Sequence, residues 1–293
     1  MVEKGCVKGS HEQIFLYHLR RLRAALFSLR YDMGEMQKFV GAQEMDINGL
    51  LKAVKHRPFP MPAGPWVLTQ RWHELLFAHW PLKAEVLRPL LPPTLPLDTY
   101  EGEAWVAIVP FWMSNVSPRG LPPVSAVSTF PELNLRTYVS VDGIPGVYFF
   151  SLDAGNPVAV QIARTFFHLP YFNARMQHRW RGDTLHYSSI RSDSRGRRAE
   201  VCVRYRPTGP VSLSTPGTLV SWFTERYCLY TTYKNRVYRA YIHHRQWPLQ
   251  PAEWEIERQT LAAAHDVVLP DCPPLLHYAD VLDMLAWPIS RIL

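Results

Sequence analysis

Lysine is scarce in most of this chain. Beyond residue 60 there are 22 basic side chains, of which only Lys83 and Lys234 are lysines. Arginine clamps carboxylates but stays protonated, so it cannot form an imine with a carbonyl compound. Cysteine is thin as well. Cys6, Cys202, Cys228 and Cys272 show no Cys-x-x-Cys spacing, which argues against a zinc ribbon or a disulfide framework and for a reducing compartment. No uncharged apolar run reaches the length of about 18 residues that a membrane-spanning helix needs. Arg20, Arg21, Arg23 and Arg30 break up the apolar stretch near the N-terminus, which therefore lacks a signal-peptide pattern. Cytoplasmic location is the expectation. Glycine-rich phosphate loops and the Gly-x-Ser-x-Gly hydrolase elbow are missing too, so neither a nucleotide fold nor that hydrolase chemistry is indicated, and no cofactor is expected.

The net charge of +7 raises the question of a polyanionic partner. Its distribution answers against one. Residues 1–60 carry 10 basic and 6 acidic side chains, whereas residues 61–293 carry 22 and 19 and are nearly balanced. The basic run RSDSRGRRAEVCVRYR (191–206) reads as a hairpin turn with arginines on an exposed strand face. It lacks the basic–aromatic alternation of a stacking platform for nucleic acid.

Residues 11–30 (HEQIFLYHLRRLRAALFSLR) have Phe15, Leu19, Leu22, Leu26 and Leu29 at near-helical spacing, with arginines on the other face. A helix docked on its own domain is favoured over one lying on a membrane. Four prolines in residues 56–65 mark a linker, which divides the chain into an N-terminal basic extension, 1–60, and a single domain, 61–293. Met61 is an alternative natural start. After the linker the pattern is that of strands. WVLTQRW, AWVAIVPFW, LNLRTYVSV, GVYFFSL, FNARMQHRW, TLHYSSIR, AEVCVRYR, CLYTTY and RVYRAYIHH are rich in β-branched and aromatic residues, with turn signals between several of them. In LNLRTYVSV, Leu133, Leu135, Thr137, Val139 and Val141 share one face, and Asn134, Arg136, Tyr138 and Ser140 share the other. Helices are expected over 84–91, where Pro89 bends or ends the helix, and over 156–168, where Asn156 caps and Pro157 opens it. Two more are expected over 217–226 and 251–265. The fold class is mainly β, antiparallel, with a few flanking helices; aromatic-rich strands with exposed edges make a homodimer the expectation.

Five phrases in order, PELNLRTYV (131–139), GVYFFSLDA (146–154), ARTFFHLPYFNARM (163–176), GTLVSWFTERYCLY (217–230) and IHHRQWPL (242–249), resemble the YqjF-like family. That family is a domain of unknown function in the acetoacetate-decarboxylase-like superfamily. The resemblance covers roughly residues 64–287 and implies a cone-like β barrel whose interior pocket faces a small organic acid. Acetoacetate decarboxylases look like Gly-Arg-Glu, two residues, then Gly-any-Pro-Lys-Lys in this region. Here Arg164 and Pro170 match, but Ala163 and Thr165 replace the glycine and glutamate, and Tyr171 and Phe172 replace the lysines. An imine mechanism needs an amine of lowered pKa. The resemblance therefore does not carry the decarboxylase reaction with it, because Lys83 and Lys234 fall in surface-like contexts.

The expected function is small-molecule binding in a β barrel, with enzymatic action on a small carboxylate or carbonyl compound that needs no Schiff-base lysine. A non-enzymatic ligand-binding or sensing module is the alternative, and a nucleic-acid-binding protein a distant third. Arg136, Tyr138 and Arg164 are the candidate ligand-binding residues. Tyr171 is to orient the ligand, and Glu225 or His243 to move a proton. Each has a plainer reading. Arg164 shares a helix face with Gln161 and His168, opposite the apolar stripes, and would ordinarily meet water. Glu132 is a salt-bridge partner for Arg136, and Glu225 for Arg226. His243 and His244, as strand neighbours, point to opposite faces, which disfavours a shared metal.

Overall fold

Twelve strands run through the residues described by the computed structural model, which are 44–293. They are β1 (Leu68–Leu82), β2 (Ala104–Pro118), β3 (Phe130–Val141), β4 (Ile144–Ala154), β5 (Tyr171–Arg181), β6 (Thr184–Arg191), β7 (Glu200–Pro207), β8 (Cys228–Tyr233), β9 (Arg236–His244), β10 (Gln250–Gln259), β11 (Leu275–Ala286) and β12 (Ser290–Arg291). Five short helices accompany them: α1 (Ile47–Lys52), α2 (Ala84–Leu87), α3 (Ser125–Ser128), α4 (Pro157–Phe167) and α5 (Leu219–Thr224). The expected helix over 11–30 lies outside the described residues.

The pairing order is β12-β9-β8-β4-β3-β2-β1-β11-β10-β7-β6-β5, with β4 also meeting β5 and β9 also meeting β11. Those two extra pairings close the sheet twice. Nine strands form one ring, from β4 through β3, β2, β1, β11, β10, β7 and β6 to β5 and back. Seven form another, from β4 through β3, β2, β1, β11 and β9 to β8 and back. This is the mainly β, antiparallel barrel with few helices that the sequence indicates. Closure removes edges, the usual hazard of all-β folds.

Strands β4, β3, β2, β1 and β11 belong to both rings. A wall shared in this way has little water-facing surface, and β3 shows the consequence. Leu133, Leu135, Val139 and Val141 pack with Leu185 and Tyr187 of β6 and Val201, Val203 and Tyr205 of β7. The alternate residues Glu132, Asn134 and Tyr138 are buried as well. On that side lie Val160 of α4, Phe223 of α5 and Trp247. An extra residue in β4, where Leu135 and Arg136 face Ser151 and Phe149, switches the alternation of that strand. Val147 and Phe149 before it, and Leu152 after it, therefore face the helices. Each Leu or Phe fully buried in these layers stabilises the fold by about 1.5–3 kcal/mol.

Helix α4 follows its sequence signals. Asn156 Oδ1 accepts from the backbone N–H groups of Val158 and Ala159, both at 3.1 Å, and Pro157 is the first helical residue. His168 ends the helix in a left-handed conformation. In the 84–91 region α2 passes into a 3-10 turn, Arg88–Leu90, that contains Pro89. The helix expected over 251–265 is not formed. Residues 250–259 are β10, and only Ala263–His265 is helical, as a 3-10 turn. The reason is charge at a period of two: Glu253 and Glu255 stand opposite Arg206 and Arg204 of β7. Strand β1 also runs ten residues past Trp72, because Glu74 takes a left-handed conformation (φ 52°) that absorbs a break in the alternation.

The compact unit spans Ile47–Leu293 and its division from Met1–Asp46 precedes the proline-rich stretch. The expected linker is instead tied to β9. His56 shares a hydrogen bond of 2.8 Å with the carbonyl of His244, and Arg57 donates to the carbonyl of Ile242 at 2.9 Å.

Candidate functional site

The side of the wall that faces α4 and α5 carries the polar residues. Glu132 stands opposite Phe111 and Ala154, Asn134 opposite Val109 and Leu152, and Arg136 opposite Ala107 and Phe149. On the next strand, His79 also stands opposite Ala107. The methyl group of Ala107 thus lies between an imidazole and a guanidinium. The Tyr138 hydroxyl and His79 Nε2 are 2.6 Å apart, and Arg136 donates to that hydroxyl at 3.4 Å. Aromatic rings frame the group: Phe223 stacks on His79 at 3.8 Å, and the Arg136 guanidinium lies 5.0 Å from the Phe77 centroid. Burial, and then the charge of Arg136, hold His79 well below the usual histidine range, so its imidazole is neutral.

Glu132 is only 2% exposed. Tyr171, the first residue of β5, donates its phenol proton to Glu132 Oε2 at 2.8 Å. Burial pushes the Glu132 carboxyl up to about 8. Hydrogen bonds from Tyr171 and Asn134 oppose that rise, and the nearby charge of Asp153 adds to it. At neutral pH Glu132 therefore carries a proton it can give up. Burial, with Glu132 beside it, raises the Tyr171 phenol well above its ordinary range and keeps it neutral.

Among the described residues, His79 Nδ1, Asn134 Oδ1 and Arg136 Nε are buried atoms without a hydrogen-bond partner. Arg136 forms no ion pair there either. Native interiors seldom leave such groups unmatched, because each costs about 1–3 kcal/mol. Three unmatched groups on one face form a set ready for an anion beside a neutral polar group.

Of the sequence-predicted residues, Arg136 and Tyr138 are in contact on this face, and Tyr171 joins it through Glu132. The others do different things. Arg164 donates through Nε to the Tyr171 carbonyl at 2.7 Å and also holds Asp193. Glu225 accepts from the Tyr227 hydroxyl and from the Trp247 N–H at 3.4 Å. His243 bonds the carbonyl of Leu50 at 2.8 Å and Arg57 at 3.1 Å, and burial lowers it to about 4. Two expected ion pairs need correction. Glu132 pairs with Tyr171, not Arg136, and Arg226 pairs with Asp98, not Glu225. In each case a partner distant in sequence lies nearer than the neighbour along the chain. Phe172, at the second lysine position of the resemblance, lies under Arg191, whose guanidinium is 4.1 Å from the ring centroid. Lys83 and Lys234 are exposed.

Glu132, Asn134 and His79 are not among the residues expected to act. Glu132 and Asn134 continue the alternation of Arg136 and Tyr138 by four residues toward the N-terminus, a signal that was there to use. His79 had none, since it lies beyond the break at Glu74. The arginines of the basic run 191–206 are largely matched: Arg195 pairs with Asp193, Arg197 with Asp266, Arg204 with Glu255 and Arg206 with Glu253. A surface groove lined by Arg181, His186, Arg204, Arg206, Glu253 and Glu255 lies on that outer sheet face and contains none of the candidate residues.

Comparison with known proteins agrees with this fold. Residues 69–283 match the DUF2071 family, described as an uncharacterized conserved protein. The chain is 48% identical over 231 residues to the uncharacterized protein YqjF of Bacillus subtilis (strain 168), covering 79% of this chain and 95% of that one. Among solved structures, acetoacetate decarboxylase from Legionella pneumophila superposes with a TM-score of 0.55 at 13% identity, over 87% of this chain and 98% of that one. The enduracididine biosynthesis enzyme MppR, in complex with the condensation product of pyruvate and imidazole 4-carboxaldehyde, gives 0.53 at 10% identity, over 80% and 92%. At such identities the two structures speak to the fold alone. The chain belongs to the DUF2071 family. No helix among the described residues is long and apolar enough to cross a membrane.

Proposed function

We propose that this DUF2071 protein binds a small carboxylate or carbonyl compound on the polar face of its shared wall and moves a proton on it without imine chemistry. Arg136 takes the carboxylate, with Tyr138 and His79 beside it to orient a second oxygen. Glu132 exchanges the proton, and Tyr171 holds Glu132 in place. Arg164 supports Tyr171 from behind. The observation that carries this reading is Arg136, a half-buried guanidinium whose Nε is buried and unpartnered, with no carboxylate among the described residues to neutralise it. The solved structure of MppR with a pyruvate-derived ligand is in keeping with a ligand of that class. We place the protein in the cytoplasm. A homodimer would leave this face intact, because the face lies within one chain.

The test is calorimetric binding and turnover with a panel of small oxo and hydroxy acids. At least one should bind to the native chain, and Arg136→Met should weaken it by at least about tenfold, as loss of a charge-assisted pair implies. Binding without turnover, equally lost in Arg136→Met, would favour the sensing module. Binding unchanged in Arg136→Met would sink the reading.

A further inference from the structure

We propose that Asp193 is a positioning residue of this site: through Arg164 and Asn173 it fixes the start of β5 so that the Tyr171 phenol stays on the Glu132 carboxyl. The inference rests on the Tyr171–Glu132 pair belonging to the proposed site.

The need for such a device follows from the topology. Strand β5 begins immediately after Pro170 and joins β4 through only three parallel pairs, Leu152 with Tyr171, Asp153 with Phe172 and Ala154 with Asn173. The longer ladder with β6 begins only at Ala174, while Tyr171, three residues earlier, reaches a buried acid on β3. Asp193 adds a constraint at this start. Its Oδ2 accepts from the Asn173 backbone N–H at 3.1 Å and from Asn173 Nδ2 at 3.3 Å, and also from Arg164. Arg164 in turn donates through Nε and through a terminal nitrogen to the Tyr171 carbonyl. One carboxylate therefore governs the carbonyl of residue 171 and the amide of residue 173. Arg195 closes the other oxygen through its backbone N–H at 3.2 Å and Nε at 2.9 Å. The Asp193 side chain is 5% exposed, so this is not the weak pairing of a surface salt bridge. Around Glu132 itself stand Tyr171 from β5, Asn134 from its own strand, and Asp153 from β4, which Arg191 of β6 neutralises.

A purely structural Asp193 would only staple the turn between β6 and β7. Titration of Glu132 separates the two roles, because the Tyr171 hydrogen bond favours the ionised carboxyl and its loss must raise the midpoint. The carboxyl is followed by carbon-13 NMR in protein labelled at glutamate. Tyr171→Phe should raise the Glu132 midpoint, and Asp193→Ala should raise it in the same direction, by an amount on the order of one pH unit. Asp193→Ala added to Tyr171→Phe should move it no further. If Asp193→Ala does not fold, Arg164→Lys and Asp193→Asn give the same reading with smaller shifts. A midpoint unmoved in folded variants, or shifts that add in the double variant, would overturn the inference. If Glu132 in the native chain titrates in the ordinary carboxylate range, the proposed function loses its proton carrier, while the comparison of variants still decides the role of Asp193.

Discussion

Two polar groups, one fully buried and one half-buried around Arg136, sit on opposite sides of one wall, and they are built on opposite terms. On the side packed against β6 and β7, Arg191 grips Asp153 through Nε and a terminal nitrogen, with side chains 0% and 1% exposed. Its other contacts are the Arg197 carbonyl at 3.3 Å, His265 at 3.2 Å and the ring of Phe172. On the side packed against α4 and α5, Arg136 has a tyrosine hydroxyl and two aromatic rings but no acid among the described residues, while Glu132, on the same strand face, has no basic partner among them. A matched pair needs nothing further and holds the barrel together. An unmatched cation and a carboxyl held neutral on the same face are what the proposed reading fills with a ligand. On that reading the first cluster is architecture and the second the proposed site.

The strongest way to break the comparison is to remove one arginine from each side and follow urea unfolding. Arg191→Ala leaves Asp153 buried without its partner and should cost about 3–5 kcal/mol. Arg136→Met replaces an unpaired cation by an apolar chain of similar length and should change stability by less than about 1 kcal/mol, or raise it. Equal losses would mean that both arginines are structural.

Proton linkage provides a finer distinction. Glu132 has its pKa raised in the folded chain from 4.5 to about 8. Between those values the folded protein holds a proton that the unfolded chain has released, so this group makes stability fall as pH rises from 4.5 to 8 and adds no further slope above it. Glu132→Gln should flatten that decline. Ligand anions should bind best below about 8, where Glu132 is still neutral. An unaltered slope in Glu132→Gln would return Glu132 to the ordinary carboxylates.

The smallest expected effect lies away from both clusters, at the stretch preceding β1. His243, held neutral by burial with a pKa of about 4, bonds Leu50 and faces Arg57, His56 and Arg245. Its folded value lies below the unfolded 6.5, so its contribution is present above 6.5 and is lost as pH falls toward 4. Amide exchange in residues 47–59 should quicken over that window, and less so in His243→Gln. No difference between the two proteins would show that other groups secure this stretch.

Much of the barrel was legible in the residues, because a strand's alternation is local. LNLRTYVSV announced two distinct faces, and Asn156-Pro157 announced α4. That both faces of β3 are packed was not legible: it follows from β4 and β11 each taking three partners, which depends on strands far apart in the chain. For the same reason the site was only half visible. Arg136, Tyr138 and Tyr171 carry chemistry in their own identities and neighbours. His79 reaches Tyr138 from 59 residues away, and Asp193 reaches Arg164 from 29. Glu253 and Glu255 misled in the other direction, since glutamates favour helices until arginines stand opposite on a neighbouring strand.

The side-chain N–H signals of the two arginines provide the most direct test of the central claim. In nitrogen-15 NMR of the whole protein, titration with a small oxo acid such as pyruvate should shift the Nε–H signal of Arg136 in a saturable way. The Nε–H signal of Arg191, already held by Asp153, should stay where it is. Signals that both remain still across the oxo and hydroxy acid panel, or that move together, would contradict the assignment of the unmatched face as the ligand site.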